Sequence, residues 1–293
     1  MYEEHFIDTN GIRLHTIVAG PENGKPVVLL HGFPEFWYGW RHQIEPLAKA
    51  GYRVIVPDQR GYNLSEKPNG VKQYRIDLLA QDIVGLLDSL HYPEVALVGH
   101  DWGGTVAWQV ATDYHERLSH LVILDAPHQD SMQRALLHHP SQLVRSWYIY
   151  MFQLPWVAEH LFYPRFANFD GAKPGSFTVK DMARYREAWA QPGAVHATIN
   201  WYRAAFRAIF RPAVGAGARP KGHQLPSGTQ PIRVPTLILW GEADWALSAW
   251  LARDSAAHCT QSTLRFFPGV GHWLQHDQPQ EVTQAILDFL IGI

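Results

Sequence analysis

The 293-residue chain is 46% apolar and 18% charged, with 25 Lys and Arg against 27 Asp and Glu. A net charge near zero excludes the clustered basic face of a nucleic-acid binder, and no apolar run approaches the ~18 residues of a membrane span. Its 12 Trp, 12 Tyr and 13 Phe exclude a disordered chain, which lacks the apolar groups to offset ordering entropy, and they must either fill a core or line a site.

The N-terminal stretch Met1–Gly20 carries Glu3, Glu4, Asp8 and Arg13 and has no apolar h-region, so no secretory signal is expected. The single Cys259 has no internal disulfide partner, which fits a cytoplasmic protein. The 17 His show no HExxH spacing and no accompanying Cys cluster, so no metal is expected, and the adjacent His138 and His139 read as a surface loop.

In chain order, His5–Asp8 and Arg13–Val18, joined by Asn10-Gly11, predict a hairpin. Val27–Leu30, Val54–Val56, Val95–Val98 and Leu121–Leu124 are short and rich in β-branched residues, as buried parallel strands are. Helical patterns separate them at Trp37–Lys49, Ile76–Leu90 and Thr105–Tyr114. The middle differs: from about residue 130 to 230 no strand pattern occurs. Leu143–Phe166 is crowded with aromatics, helical stretches follow at Thr178–Trp189 and Ala194–Phe210, and Gly- and Pro-rich Arg211–Gln230 reads as a loop. A strand at Thr236–Trp240, a helix near Leu247–Ala257, a strand at Thr263–Phe266 and a helix at Gln280–Leu290 complete the pattern. Alternating strands and helices predict an α/β fold with a mostly parallel sheet. Its core spans residues 1–130 and 231–293, with residues 131–230 as a helical insertion.

Chemistry concentrates at predicted strand ends, where ligands bind in open α/β sheets. Gly99-His100-Asp101-Trp102-Gly103 joins a strand to a helix as a nucleophile elbow, with Asp101 where Ser is usual. Asp101 could instead simply cap the helix. A carboxylate needs no base to activate it; it attacks an sp³ carbon bearing a leaving group and forms an ester that must then be hydrolysed. That step requires a histidine and an acid to orient it. Asp244 follows Thr236–Trp240, and His272 follows Thr263–Phe266, giving the nucleophile–acid–His order of this fold; nearby Glu242 competes for the acid role. The turn His31-Gly32-Phe33-Pro34 supplies an oxyanion hole from the Phe33 N–H, with the Trp102 N–H as its second donor.

The stretches HGFPEFWYGWRHQIEPLAKAGYRVIVPDQRGY and VGHDWGG resemble the α/β-hydrolase superfamily, and within it the epoxide hydrolases, over nearly the whole chain. The resemblance implies an α/β-hydrolase fold with an inserted all-helical cap. It also implies a cis bond before Pro34 and a triad of Asp101, Asp244 and His272. One departure is Asn63, where the family often has Gly; Asn tolerates positive φ. YIYMFQLPW and NWYR resemble the segments carrying two cap tyrosines that hold and protonate the epoxide oxygen, which assigns Tyr148 and Tyr202. Tyr150, two residues from Tyr148, points elsewhere on a helix. The implied activity is hydrolysis of a small hydrophobic epoxide with water, without a metal or organic cofactor, by a monomer or a homodimer. Pro34, Phe36, Trp37 and Trp147 are expected to line the substrate site. A haloalkane dehalogenase shares the Asp-Trp elbow and is the alternative, although it would leave the tyrosine pair without a task.

Overall fold

The computed structural model describes residues 2–163, 168–209 and 231–292. The expected loop Arg211–Gln230, Phe166 and the last residue of the predicted helix Ala194–Phe210 lie outside them. Eight strands form one sheet: β1 Glu3–Thr9, β2 Ile12–Ala19, β3 Lys25–Leu30, β4 Tyr52–Pro57, β5 Val95–His100, β6 Leu118–Leu124, β7 Thr236–Gly241 and β8 Ser262–Phe267. Their order is β1-β2-β4-β3-β5-β6-β7-β8. β1 and β2 pair antiparallel, as do β2 and β4, and the remaining pairs are parallel. The hairpin closes through Asn10 at φ 45 and Gly11 at φ 75, the doubly positive turn that matches strand twist.

Side chains alternate across each strand, so neighbouring residues enter different cores. Val27, Leu29, Val54, Val56 and Val98 face one layer with Ile44 and Leu47 of α1 (Arg41–Lys49). Val28, Leu30, Leu97, Leu121 and Ile123 face the other. That layer holds α2 (Ile76–Ser89) through Ile83 and Leu86, and α3 (Trp102–Asp113) through Val106, Trp108 and Val110. Burial on both faces explains why these strands read as unbroken apolar runs.

Between β6 and β7 the described residues add no strand to the sheet, and their helices are α4 (Gln129–His138), α5 (Pro140–Arg145), α6 (Trp147–Met151), a π-helical turn at Ala158–Phe162, α7 (Val179–Trp189) and α8 (Ala194–Ile209). Side chains of α7 and α8 hydrogen-bond the turns at the carboxyl ends of β3 and β4. Trp189 Nε1 donates to Pro34 O at 2.6 Å, Tyr185 Oη to Glu35 Oε1 at 2.7 Å, and Trp201 Nε1 to Arg60 O at 3.0 Å. The chain returns through β7, α9 (Ala249–Ala256), β8, α10 (Leu274–Asp277) and α11 (Pro279–Ile291). Among the described residues no helix is long and apolar enough to cross a membrane.

Three local expectations are corrected. The helix predicted at Trp37–Lys49 is a 3₁₀ turn, Trp37–Trp40, followed by α1. Trp-Tyr-Gly-Trp is a weak helix-forming run, and the Trp37 N–H is drawn to Asp58 Oδ1 at 2.8 Å. α3 begins at Trp102, three residues before the predicted start, because the elbow leads directly into it. His138 and His139 are not a loop: His138 ends α4, and His139 sits between α4 and α5 with its ring 4.1 Å from that of Trp250.

Candidate active site

The elbow after β5 places Asp101 at φ 50 and ψ −119, a conformation that only tight packing around it can hold. A Cβ on Gly103 would overlap the Leu30 carbonyl, and one on Gly32 would lie 2.5 Å from Asp101 Cβ, so glycine at both lets the two βα turns meet. Asp101 occupies the N-cap position of α3, yet its side chain makes no capping hydrogen bond. The carboxylate turns to the site instead. Oδ1 accepts from the Phe33 N–H at 2.8 Å, and Oδ2 faces His272 Nε2 at 3.6 Å. The Phe33–Pro34 bond is cis. Among the described residues the Trp102 N–H makes no hydrogen bond to the carboxylate.

His272 Nδ1 lies 2.8 Å from Asp244 Oδ2. Asp244 Oδ1 accepts from the N–H groups of Ala246 and Leu247 at 2.7 and 2.9 Å, which fixes the carboxylate plane. Glu242, the competing acid, is exposed, and it is Asp244 that pairs with His272 Nδ1. Behind the site, His100 Nε2 donates to His272 O at 2.9 Å, and its Nδ1 lies 3.1 Å from Gln275 Nε2 and 3.4 Å from Glu35 Oε2.

Electrostatics follow from burial and three carboxyl groups. Burial disfavours the His272 imidazolium, but the charges and hydrogen bonds of Asp244 and Asp101 outweigh it and hold its pKa well above the usual 6.5. Burial likewise opposes the Asp101 carboxylate, and His272, His100 and the Phe33 N–H outweigh it and lower its pKa. Asp125, at the end of β6, is fully buried and accepts from the Gly241 N–H at 2.8 Å. Burial, then the charge of Asp244, pushes its pKa well above the carboxylate range. No feature of the sequence singled it out.

Tyr148 on α6 and Tyr202 on α8 are buried, with ring centroids 5.9 Å apart, and both line a cleft with Asp101 and His272. Burial first, then the Asp101 charge, raises both phenol pKa values. Phe33, Pro34, Asp170, Trp245, Ala246 and Trp273 complete the lining, and the free volume is about 30 Å³. Of the expected substrate contacts only Pro34 is there. Phe36 packs behind the site against Tyr185 at 5.2 Å. Trp37 meets Tyr2 at 5.9 Å on the far side of its turn. Trp147 precedes Tyr148 on α6, so it turns to another face and is 44% exposed. Tyr150 packs on Phe206, as its spacing requires. Trp245 and Trp273, which sequence reading missed, adjoin Asp244 and His272 in the chain; nothing local marks Asp170.

Asn63 adopts φ 40 and donates to Asp58 Oδ2 at 2.7 Å, so the departure from Gly is accommodated. One group of metal-type ligands occurs among the described residues, His128, Asp130 and His258, with donor atoms within 4.8 Å of one another. Its geometry does not suit an ion. The two rings stack at 4.0 Å and 17°, so their in-plane lone pairs do not converge. His128 Nδ1 accepts from the Asp130 N–H, and His258 Nε2 lies 3.0 Å from Arg134 Nη2.

Residues 25–279 match the model of the alpha/beta hydrolase fold family. The chain is 44% identical over 97% of its length to the AB hydrolase superfamily protein YfhM of Bacillus subtilis (strain 168), covering 96% of that protein. It is 34% identical over 99% of its length to epoxide hydrolase A of Mycobacterium tuberculosis (strain ATCC 25618 / H37Rv), covering 98% of it. Among solved structures, an epoxide hydrolase described from metagenomes of hot environments superposes with a TM-score of 0.86 at 33% identity, with both chains fully covered. A point mutant of an epoxide hydrolase from Bacillus megaterium superposes with a TM-score of 0.85 at 29% identity, over 98% of this chain and 99% of that one. With an Asp on the elbow, an acid and a His at the ends of β7 and β8, and these relatives over its whole length, the chain belongs to the α/β-hydrolase superfamily and to its epoxide hydrolase family.

Proposed function

We propose that the chain hydrolyses small, uncharged, hydrophobic epoxides to vicinal diols through an alkyl ester on Asp101. The observation that carries this reading is the pair of buried phenols facing a carboxylate nucleophile across one cleft. In this reading residues 131–230 act as a cap on the core. Asp101 Oδ2 attacks one epoxide carbon, and the carbon–oxygen bond breaks. The oxygen, held by Tyr148 and Tyr202, takes a proton from one of them. Esterification removes the Asp101 charge that helps keep His272 protonated, so His272 gives up its proton, which reprotonates the phenolate left by ring opening, and becomes a base. It then takes a proton from water, and the resulting hydroxide adds to the ester carbonyl carbon. Negative charge builds on Oδ1, where the Phe33 N–H already points and where the Trp102 N–H at the start of α3 is the second donor. The bond from that carbon to Oδ2 breaks, Oδ2 leaves with the diol and takes the proton of the added hydroxyl, and Asp101 is regenerated as a carboxylate with one oxygen from water. Asp244 orients His272 throughout. Every atom is supplied by epoxide, water and these side chains, so the scheme requires no cofactor.

His272→Gln tests the two-step scheme. Exposed to styrene oxide, this variant should accumulate a chain heavier by one substrate mass, with the ester on Asp101, while releasing little diol. An unmodified chain with no turnover would count against the covalent step. Halide release from a haloalkane, without diol formation from any epoxide, would favour the dehalogenase reading.

A further inference from the structure

The loop that carries Asp244 belongs to no strand or helix, and its backbone is held by side chains from elsewhere. Gly241 N–H, at its start, is taken by Asp125. The rest is gripped by α5, in the inserted helices. Arg145 Nη1 donates to the carbonyl oxygens of Asp244 and Trp245 at 2.7 and 2.9 Å. Gln142, fully buried, donates through Nε2 to Ala246 O at 2.8 Å and accepts the Ser248 N–H on Oε1 at 3.0 Å. Two side chains one turn apart on one short helix therefore bond four backbone groups between Asp244 and Ser248. The charge-assisted Arg145 bonds are the strongest of these. Asp244 spends Oδ1 inside its own loop and Oδ2 on His272, so the aim of Oδ2 is set by where that backbone sits.

We propose that Arg145, with Gln142, is a positioning residue for the hydrolytic half-reaction: α5 clamps the acid loop so that Asp244 keeps His272 aimed at the ester. The inference rests on the two-step reading above. It assigns Arg145 to one step only. Tyr148, three residues further on, packs against Phe152 and Tyr202, with ring centroids at 6.0 and 5.9 Å, as well as against Trp245 of the loop at 5.9 Å. Loss of the guanidinium frees the loop carbonyls, while the contacts of Tyr148 with Phe152 and Tyr202, outside the loop, still hold the ring-opening donors.

The test is single-turnover rapid quench with styrene oxide, reading the fraction of chain in the ester form by intact mass, alongside diol release. In Arg145→Ala, ester hydrolysis should slow roughly 10- to 100-fold, the cost of a small misplacement of a catalytic group, while the alkylation rate stays within about twofold. The steady-state ester fraction should rise accordingly. Arg145→Lys, which can restore one bond, should fall between Ala and the parent chain, and Gln142→Ala should shift the partition in the same direction. Loss of thermal stability with an unchanged ester fraction would overturn the proposal, as would slowing of alkylation alone or of both steps equally. If Arg145→Ala does not fold, the Lys and Gln142→Ala variants carry the same comparison. His272→Gln run in parallel separates the two levels. If it traps no ester, the covalent reading fails; if it traps ester and the Arg145 variants do not, only the clamp fails.

Discussion

At the scale of single residues, the site works by keeping protons where they are needed. Tyr148 and Tyr202 lie in a dry cleft beside the Asp101 carboxylate, and burial and that charge both disfavour phenolate. Both therefore remain donors across the physiological pH range. An epoxide oxygen that becomes an alkoxide is a far stronger base than either phenolate, so transfer is downhill once the ring opens. Because two donors converge, removing one should reduce the ring-opening rate with styrene oxide and leave measurable turnover. Tyr148→Phe combined with Tyr202→Phe should lower it by roughly 10²-fold or more, the scale of a lost general acid, in a stopped-flow assay of alkylation. Unchanged alkylation in the double variant would remove both from the mechanism. Asp101, Asp244 and His272 were legible in the sequence because the fold fixes strand ends, and strand ends fix which residues meet. The lining was not. Phe36, Trp37 and Trp147 have the right side-chain type, but type carries no direction, and they point into a neighbouring cluster, to the outer side of a turn and toward solvent. Trp245 and Trp273 line the cleft because of how the inserted helices sit over it, a long-range fact that no local pattern encodes.

At the scale of elements, the strands were the most legible feature, since a parallel strand buried on both faces must be a short apolar run. Helix starts were less so, because turn geometry decides them: Asp101 commits α3 three residues early, and the Asp58 carboxylate tightens the run before α1. Asp58 also ties the antiparallel edge to the parallel core. His15 of β2 places Nδ1 2.6 Å from Asp58 Oδ2 and Nε2 2.9 Å from Glu4 Oε1 of β1. Burial lowers the His15 pKa, but the hydrogen bonds and charges of Asp58 and Glu4 outweigh it, and the net shift is upward. A histidine whose pKa rises on folding gives its full stabilisation below its unfolded value of about 6.5 and loses it as pH climbs through the folded value. The stability advantage of the parent chain over His15→Gln, measured by urea unfolding, should therefore be larger at about pH 6.5 than at higher pH and shrink toward about pH 9. An advantage that is flat or grows with pH would show that His15 is neutral in the fold.

At the scale of the whole molecule, the inserted helices and the sheet are joined by buried polar bonds as well as apolar packing. Glu35, fully buried in the turn after Phe33 and Pro34, accepts from Tyr185 Oη of α7 at 2.7 Å and from Gln275 Nε2 at 3.0 Å, and it lies 2.7 Å from His276 Nε2. Burial would raise its pKa, but His276 and His100 overcome this and hold it well below the carboxylate range. A second bond set flanks it: Tyr38 Oη donates to Asp181 Oδ1 at 2.8 Å, and Arg41 Nη2 to Ser176 O at 2.8 Å. The cleft at the nucleophile is lined from both layers, by Tyr148 and Tyr202 of the inserted helices and by Phe33 and His272 of the core, so how those layers sit shapes the space for an epoxide. The Glu35 junction joins those layers two residues after the Phe33 N–H that holds Asp101. Tyr185→Phe isolates this junction, because the ring still packs against Phe36 and Phe169 while one donor to a buried charge is lost. Stability should fall by about 1–3 kcal/mol, the cost of under-satisfying a buried acceptor, seen as a lower urea midpoint at unchanged slope. If the junction also restrains opening, KM for a bulky aryl epoxide should change more than KM for a small alkyl epoxide. A midpoint equal to that of the parent chain would mean that His276 and Gln275 alone satisfy Glu35, and that apolar packing holds the two layers together.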